Sequence, residues 1–488
     1  MIRRRTWVLI GAVGLALTGC YKYEDRVWRA PSNQTGTGSG TGTPGSPNNP
    51  GSGGPGTSPI TGLPNPPARP SYIDNGTIRV SVDLNMGGAI TYLASSVNGQ
   101  NLVNNWDSGR QIQASFYSGP TPYKPENAHP EWKELGWNPV VSGDVYGNRS
   151  KVLESRNDGR EIYVKTAPML WPNNNLAAEC TIETWITLDK NTVKVRVRLN
   201  NTRSDTKQYS AKPQELPATF LNAPYQYVVS YTGTKPFTND ALTKVMDRTI
   251  NKIAGGVHML SPEHWLAMLN SANWGVGIYN PKQQQFIGGT FGTAYDGGEY
   301  DFTTGYLNST AYEILDHNIQ YQYDYTLIVG SIDQIRQYVY AQPRPRTAPD
   351  YRFVADRQSW WYYGGVDRGW PIKNELDIPL DNGSFLMLGP REMWQATDMP
   401  KVYIRAAFKT DATHARLRWT APNDPEFLPE RVFDFPITGD GEYRTYELDM
   451  TKVPAWTGTM TQLGFEPALG EKGGAGKWAK IQYISSKP

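Results

Sequence analysis

The chain has 488 residues, too many for one ordinary domain and, at about 100 to 200 residues per domain, enough for two to four. Its 48 Lys and Arg against 46 Asp and Glu leave a net charge of +2, which excludes a basic nucleic-acid binder, because such a protein must neutralise many phosphates. With 48 Gly, 37 Pro, 29 Tyr and 16 Trp it reads as a loop-rich β protein carrying amphipathic rings, not as a helical bundle or a polytopic membrane protein.

Residues 1–19 have the parts of an export signal: basic Arg3, Arg4 and Arg5, then an apolar run from Trp7 to Leu17 too short to span a bilayer. Leu17-Thr18-Gly19-Cys20 resembles a bacterial lipobox, which implies a lipidated Cys20 and a membrane anchor; the alternative is an ordinary secretory signal with an incidental Cys. Tyr21 stands where Asp marks inner-membrane retention in such lipoproteins, and the resemblance therefore implies an outer-membrane lipoprotein of the bacterial envelope, surface-exposed or facing the periplasm. Without Arg3 to Arg5 the chain is close to neutral. Cys180 is then left alone in a strand-like run, so no intramolecular disulfide can form, and the thiol reads as a small buried hydrophobe.

Residues 20–72 form a tether. Between Pro31 and Pro70, 35 of 40 residues are Gly, Pro, Ser, Thr or Asn, which cannot bury a core and predicts disorder. A coil of this kind reaches about 35 Å, enough to hold a folded body off a membrane.

From Ile78 the pattern alternates with period two: Ile78, Val80, Val82 and Leu84 share one face. Similar strands are predicted over 161–165, 180–188, 193–199, 274–279 and 320–329, with a hairpin turning at Asp189-Lys190-Asn191. Only 331–340 has a helical spacing, through Ile332, Ile335, Tyr338 and Val339. Residues 73–346 thus predict a large antiparallel two-sheet body. After Pro343 and Pro345, residues 347–488 hold seven or eight short strands between Pro, Gly and Asp turns, which predicts a smaller β-sandwich of jelly-roll type. The fold class expected is all-β.

Gly87-Gly88-Ala89-Ile90, Asn101-Leu102-Val103-Asn104 and 107–113 resemble the opening of bacterial proteins with a galactose-mutarotase-like β-supersandwich. Trp137-Asn138-Pro139-Val140, Gln214-Glu215-Leu216-Pro217-Ala218 and Pro262-Glu263-His264-Trp265 continue that resemblance over most of 78–340. It implies a sugar ligand more than a particular reaction, since the fold class holds aldose epimerases and parts of glycoside hydrolases and polysaccharide lyases. Tyr446-Glu447-Leu448-Asp449-Met450, Leu463-Gly464-Phe465-Glu466-Pro467 and Ile481-Gln482-Tyr483-Ile484 are similar to the closing half of carbohydrate-binding jelly rolls.

Sugar rings offer flat C–H faces and a fringe of hydroxyls, so a site for them needs aromatic rings beside carboxylates, amides and Arg. Three sets fit: Trp106-Asp107 with Arg110, Gln111 and Gln113; Trp132 and Trp137 with Asn138 and Asp144; and Glu263-His264-Trp265. Each Trp has a core reading too, and Arg110 has a structural one, locking Asp107. Arg110 can otherwise fork onto a carboxylate or vicinal hydroxyls. Glycoside hydrolysis needs two carboxyl groups roughly 5 to 10 Å apart, and the candidates are Glu215, Glu263 and Asp144, then Asp107. Glu215 is flanked by Pro213 and Pro217, and the resemblance places a catalytic carboxylate on a comparable surface.

An epimerase on this fold would use Glu215 with His264, and a lyase would use Tyr117 or His129 as base beside Arg110. The five His form no HExxH or Cys/His cluster, so no cofactor or catalytic zinc is expected. Asp296-Gly297-Gly298-Glu299-Tyr300-Asp301 reads as a polar hairpin turn, with a structural calcium site as the alternative. The run Trp360-Trp361-Tyr362-Tyr363 cannot be buried on one strand face, so one alternate pair faces outward or into the junction between the two bodies. The function expected is that of a surface lipoprotein acting on a poly- or oligosaccharide, as a glycosidase with paired carboxylates; the alternatives are a non-catalytic glycan-binding protein, a lyase or epimerase, or a structural envelope protein.

Overall fold

The computed structural model describes residues 68–247, 255–292, 296–422, 424 and 426–488. Cys20, the signal segment and the tether as far as residue 67 lie outside the described residues. The chain enters its first strand at Pro70, paired with Asp83, so Pro70 to Tyr72 belong to the sheet and not to the tether that composition assigned them to.

The described residues are all-β apart from one helix and short 3-10 turns, and every strand pair is antiparallel. Strands between Pro70 and Ser331 form two large sheets, one of ten strands and one of nine. The ten-stranded sheet runs in the order Pro70–Asp74, Ile78–Asp83, Ala89–Ser95, Ile112–Ser115, Lys212–Asn222, Thr304–Glu313, Gln285–Phe291 and Gly255–Leu260, with two short strands beside Ile112–Ser115. In the nine-stranded sheet Gln320–Ser331 and the hairpin Cys180–Asp189/Thr192–Asn201 are central, and Lys151–Asn157 is an edge.

Alternation explains the packing. Along Thr192–Asn201, Val193, Val195, Val197 and Leu199 are buried, while Arg196 stays in water and Arg198 only partly leaves it. The hairpin turns on Lys190 and Asn191, with Lys190 at φ 54. From the ten-stranded sheet, Ile112, Ala114, Phe116, Leu216 and Leu307 enter the same core, opposite Tyr323, Tyr325 and Leu327. The helix Ile332–Tyr340 starts on a capping box between Ser331 and Gln334 and buries Ile335 and Val339 against the strand Trp265–Leu269.

Strands between Asp350 and Ser485 form two five-stranded sheets and one two-stranded sheet, Trp394–Gln395 with Thr459–Met460, around a second core that contains Trp360, Tyr362, Ile404, Trp419, Phe465 and Ile481. The run 360–363 divides by strand parity. Trp360 and Tyr362 are buried in this core, Trp361 stacks on Tyr312 of the ten-stranded sheet at 5.2 Å, and Tyr363 is exposed. Beside that stack, the Arg357 guanidinium bonds Asp316 at 2.7 Å and Asp367 at 2.6 Å, and Gln208 donates to both acids. The two sheet pairs are therefore joined through a buried ion network, whose members each need the others to offset the loss of water.

Candidate functional site

Since Ile112, Ala114 and Phe116 point into the core, Gln113, Ser115 and Tyr117 stand on the opposite face of the ten-stranded sheet. Glu215 joins that face, because it pairs with Ser115 on one side and Thr310 on the other. The ladder shifts register between Glu215 and Thr219, around Pro217, which has no N–H to give. Tyr306 and Asn308 alternate with Thr310 on the neighbouring strand and so face the same way.

Glu215 is 5% exposed and, among the described residues, held by hydroxyls alone. Tyr306 Oη donates to its Oε1 at 2.6 Å and Tyr117 Oη to its Oε2 at 2.8 Å. Ser115 Oγ donates to the Tyr117 oxygen at 3.2 Å, and Asn138 Nδ2 donates to Ser115 Oγ at 3.2 Å and to the Phe116 carbonyl at 2.8 Å. Asn308 donates to the Tyr306 oxygen. Burial pushes the Glu215 carboxyl above its ordinary range, and the hydroxyls of Tyr306, Tyr117 and Ser115 only partly offset it. Burial, followed by the charge of Glu215, keeps both phenols protonated, so they remain donors.

A series of rings leads from this carboxyl to the surface. The Phe220 ring lies 4.8 Å from Tyr306, and the Arg110 guanidinium lies 5.9 Å from Phe220 and 5.0 Å from Phe302. Arg110 Nη1 donates to the Phe302 carbonyl at 2.5 Å, and Asp107 stands 4.0 Å from its Nε. Trp106 meets Phe302 edge to face at 5.9 Å, and Phe302 is 48% exposed. Arg110 is thus tied to Asp107, as its structural reading expected, and its guanidinium lies near two rings. Gln113 and Gln111 serve as braces, donating to the carbonyls of Arg110 and Asp107 and shaping the loop that carries Trp106.

The structure places the other sequence-derived candidates elsewhere. Glu263 is fully buried and accepts from Trp265 Nε1, the Phe237 N–H, Tyr340 Oη and Arg336, between 2.7 and 3.2 Å. Asp144 accepts from the N–H groups of Tyr146, Asn148 and Asn175 and from Asn148 Nδ2, closing its own loop. Neither shares a donor with Glu215, so the three carboxylates stand in three separate hydrogen-bond networks. Trp137 and Trp265 are completely buried, which removes both rings from any sugar. Trp132 packs edge to face on Trp171 at 5.8 Å. Asn138 is the member of that set that reaches Glu215, through Ser115.

His264 sits at φ 65, 5% exposed, next to Glu263 in the chain, and is not hydrogen-bonded to Glu215; burial lowers its pKa to about 4, partly offset by the backbone of Asn280 and Gln283. His129 packs against Tyr146. Of the lyase bases, only Tyr117 reaches the Glu215 face. In the turn at 296–301, Asp301 Oδ2 accepts from the Gly298 N–H at 2.6 Å and Glu299 from Asn105 at 2.7 Å, so these oxygens are turned to the chain. Among the described residues no group of three His, Cys, Asp or Glu is arranged to hold a metal.

Sequence reasoning missed Phe220, Phe302, Tyr306 and Asn308. Thr304–Glu313 is buried on both faces through most of its length, so no alternation marks it as a strand.

No family model matches the chain, and no curated protein matches it. Among solved structures, the chain is similar to a galactose mutarotase related enzyme from Lactobacillus acidophilus at 11% identity and a TM-score of 0.35, over 54% of this chain and 98% of that one. A galactose mutarotase-like protein from Clostridium acetobutylicum is similar at 8% identity and a TM-score of 0.33, over 55% of this chain and 96% of that one. A 4-alpha-glucanotransferase from Thermococcus litoralis is similar at 10% identity and a TM-score of 0.31, over 54% of this chain and 38% of that one.

Proposed function

We propose that this protein is a lipoprotein of the bacterial outer membrane, anchored at Cys20, that binds a poly- or oligosaccharide on the outer face of its ten-stranded sheet. The observation that carries the reading is the unbroken series Trp106, Phe302, Arg110, Phe220, Tyr306 and Glu215, which joins an exposed ring to a buried acid. Trp106 and Phe302 offer ring faces and edges to the C–H surface of a sugar, while Arg110 and Asp107 offer donors and acceptors to its hydroxyls. The tether, read from composition as a flexible coil, would let the folded part meet a glycan beyond the membrane surface. The smaller pair of sheets, in this reading, is an accessory body of carbohydrate-binding jelly-roll type.

A second reading uses the same face for proton transfer, in an epimerase or lyase, and rests on the state of Glu215. A buried carboxyl whose pKa is raised, between two phenols, can take up or deliver a proton, and its operating range moves toward neutrality. Hydrolysis with paired carboxylates draws no such support, since it needs two acids facing each other across one bond.

A glycan array on the full chain tests the first reading, with the Trp106→Ala, Phe302→Ala double variant as control. A saccharide that binds the parent and loses at least tenfold in affinity on the double variant supports it; binding of no saccharide sinks it. Product analysis on the bound saccharide, with Glu215→Gln beside the parent, decides the second: unchanged glycan after prolonged incubation leaves a binding protein.

A further inference from the structure

The two phenols that hold Glu215 are themselves held, each by neutral donors. Asn308 stands two residues after Tyr306 on Thr304–Glu313, so strand alternation carries both to one face, and its Nδ2 donates to Tyr306 Oη. Asn138 directly precedes the short strand Pro139–Val140, whose Val140 pairs with Ser115. Its Nδ2 donates to Ser115 Oγ at 3.2 Å and to the Phe116 carbonyl at 2.8 Å, and Ser115 Oγ donates to Tyr117 Oη at 3.2 Å. Asn138, Ser115 and Asn308 are all buried.

The direction of each arm follows from the donor inventory. A carbonyl only accepts, so the Asn138 group that faces Phe116 is the NH2, and Ser115, having accepted from it, sends its own proton to Tyr117. A phenol has one proton to give, and that of Tyr117 is left for Glu215 Oε2. On the other arm a reversed Asn308 amide would set its oxygen and Glu215 Oε1 against the single Tyr306 proton. With Nδ2 toward Tyr306, that proton has Glu215 as its acceptor and the phenol oxygen accepts from the amide. The titratable groups around Glu215 are phenols: Tyr306 and Tyr117, bonded to it, and Tyr323 of Gln320–Ser331, which burial, then Tyr325 and Glu215, keep protonated. Among the described residues no Arg, Lys or His bonds to the carboxyl, and the hydroxyls of Tyr306, Tyr117 and Ser115 are what favours its charged form against burial.

We infer that Asn308 and Asn138 are positioning residues: they turn the protons of Tyr306 and Tyr117 onto the two oxygens of Glu215 and so keep Glu215 a proton acceptor at rest. The role rests on the proton-transfer reading above and gives Glu215 the part of the base in it. Asn308 acts through Tyr306, and Asn138 through Ser115 and Tyr117, so neither needs to touch a ligand.

Infrared difference spectra of the free full chain, recorded through a pH titration, test this, since the carbonyl band that Glu215→Gln removes reports the protonation of Glu215. Asn308→Ala lets Tyr306 turn its proton away from the carboxylate, and Ser115→Ala does the same for Tyr117 while leaving Asn138 on the Phe116 carbonyl. Each should raise the midpoint of that band by about one pH unit, and the double variant should raise it further. Near-UV circular dichroism matching the parent verifies the fold, and if one variant does not fold the other carries the test. A midpoint that stays or falls in a folded variant overturns the inference, as does the lack of such a band in both variants. Asn138→Ala should match Ser115→Ala; a midpoint left at the parent's value while that of Ser115→Ala rises overturns the part of Asn138. Because the spectra are read without ligand, product analysis with Glu215→Gln and the glycan array decide the functional readings separately.

Discussion

Glu215 and Glu263 are both buried carboxylates in the same large pair of sheets, yet their surroundings differ in kind. Glu263 is met by a guanidinium, a main-chain N–H, an indole and a phenol, and it ties the helix Ile332–Tyr340 and the loop at Phe237 to the strand Trp265–Leu269. Among the described residues Glu215 is met by hydroxyls only, with no cation bonded to it, and burial raises its pKa. A carboxylate bonded at once by an Arg, a main-chain N–H, an indole and a phenol works as a structural clasp between the elements that carry them. One bound by neutral hydroxyls is free to gain and lose a proton, which is the property a reactive site needs.

Breaking the two acids should show the difference. Glu263→Gln leaves Arg336 without its counter-charge, and removing one partner of a buried pair costs about 3–5 kcal/mol, to be read from denaturant unfolding. Glu215→Gln keeps the shape and loses only hydrogen-bond quality to neutral groups, so its cost should be about 1 kcal/mol. Equal losses for the two variants would erase the contrast.

The pH dependence of stability sharpens it. Next to the junction, Glu313 is bonded by Ser359 Oγ at 2.7 Å and by the Tyr321 phenol at 3.3 Å, and burial raises its pKa from 4.5 to about 7, with the charge of Asp356 adding to the rise and Arg357 opposing it. An acid whose folded pKa exceeds its unfolded one holds its proton in the fold. Its contribution is fully present below about pH 4.5 and is lost as pH rises through about 7. Denaturant midpoints should therefore fall across that window, and Glu313→Gln should flatten the fall, leaving the part contributed by Glu215 and the other acids whose pKa burial raises. A slope that Glu313→Gln leaves untouched would assign it to other groups. At the rim, the edge-to-face pair of Trp106 and Phe302 is worth about 0.5–1.5 kcal/mol beyond area, so Trp106→Ala should lower the unfolding midpoint by less than Glu263→Gln does.

Much of the scaffold is legible in the chain because half-buried strands alternate. Trp274–Tyr279 and the hairpin turning at Lys190 and Asn191 stand where the pattern puts them, as does the helix after Ser331. Thr304–Glu313 escapes because burial on both faces leaves Gly, Asn, Ser and Thr throughout and no period to read. The site divides in the same way. Trp106, Asp107 and Arg110 are neighbours in sequence and can be read as a set. Tyr306 reaches Glu215 from 91 positions away, and sheet register alone brings it there. Asp144 carried a local signal that points to structure: Gly143 before it and Gly147-Asn148 after it make a loop that consumes its oxygens.

The central claim is that a saccharide binds along the rings from Trp106 to Glu215. Titration of the best glycan-array ligand into the parent and into the Trp106→Ala, Phe302→Ala double variant measures it directly: the account predicts at least a tenfold loss of affinity with the fold intact, and an unchanged affinity would contradict it.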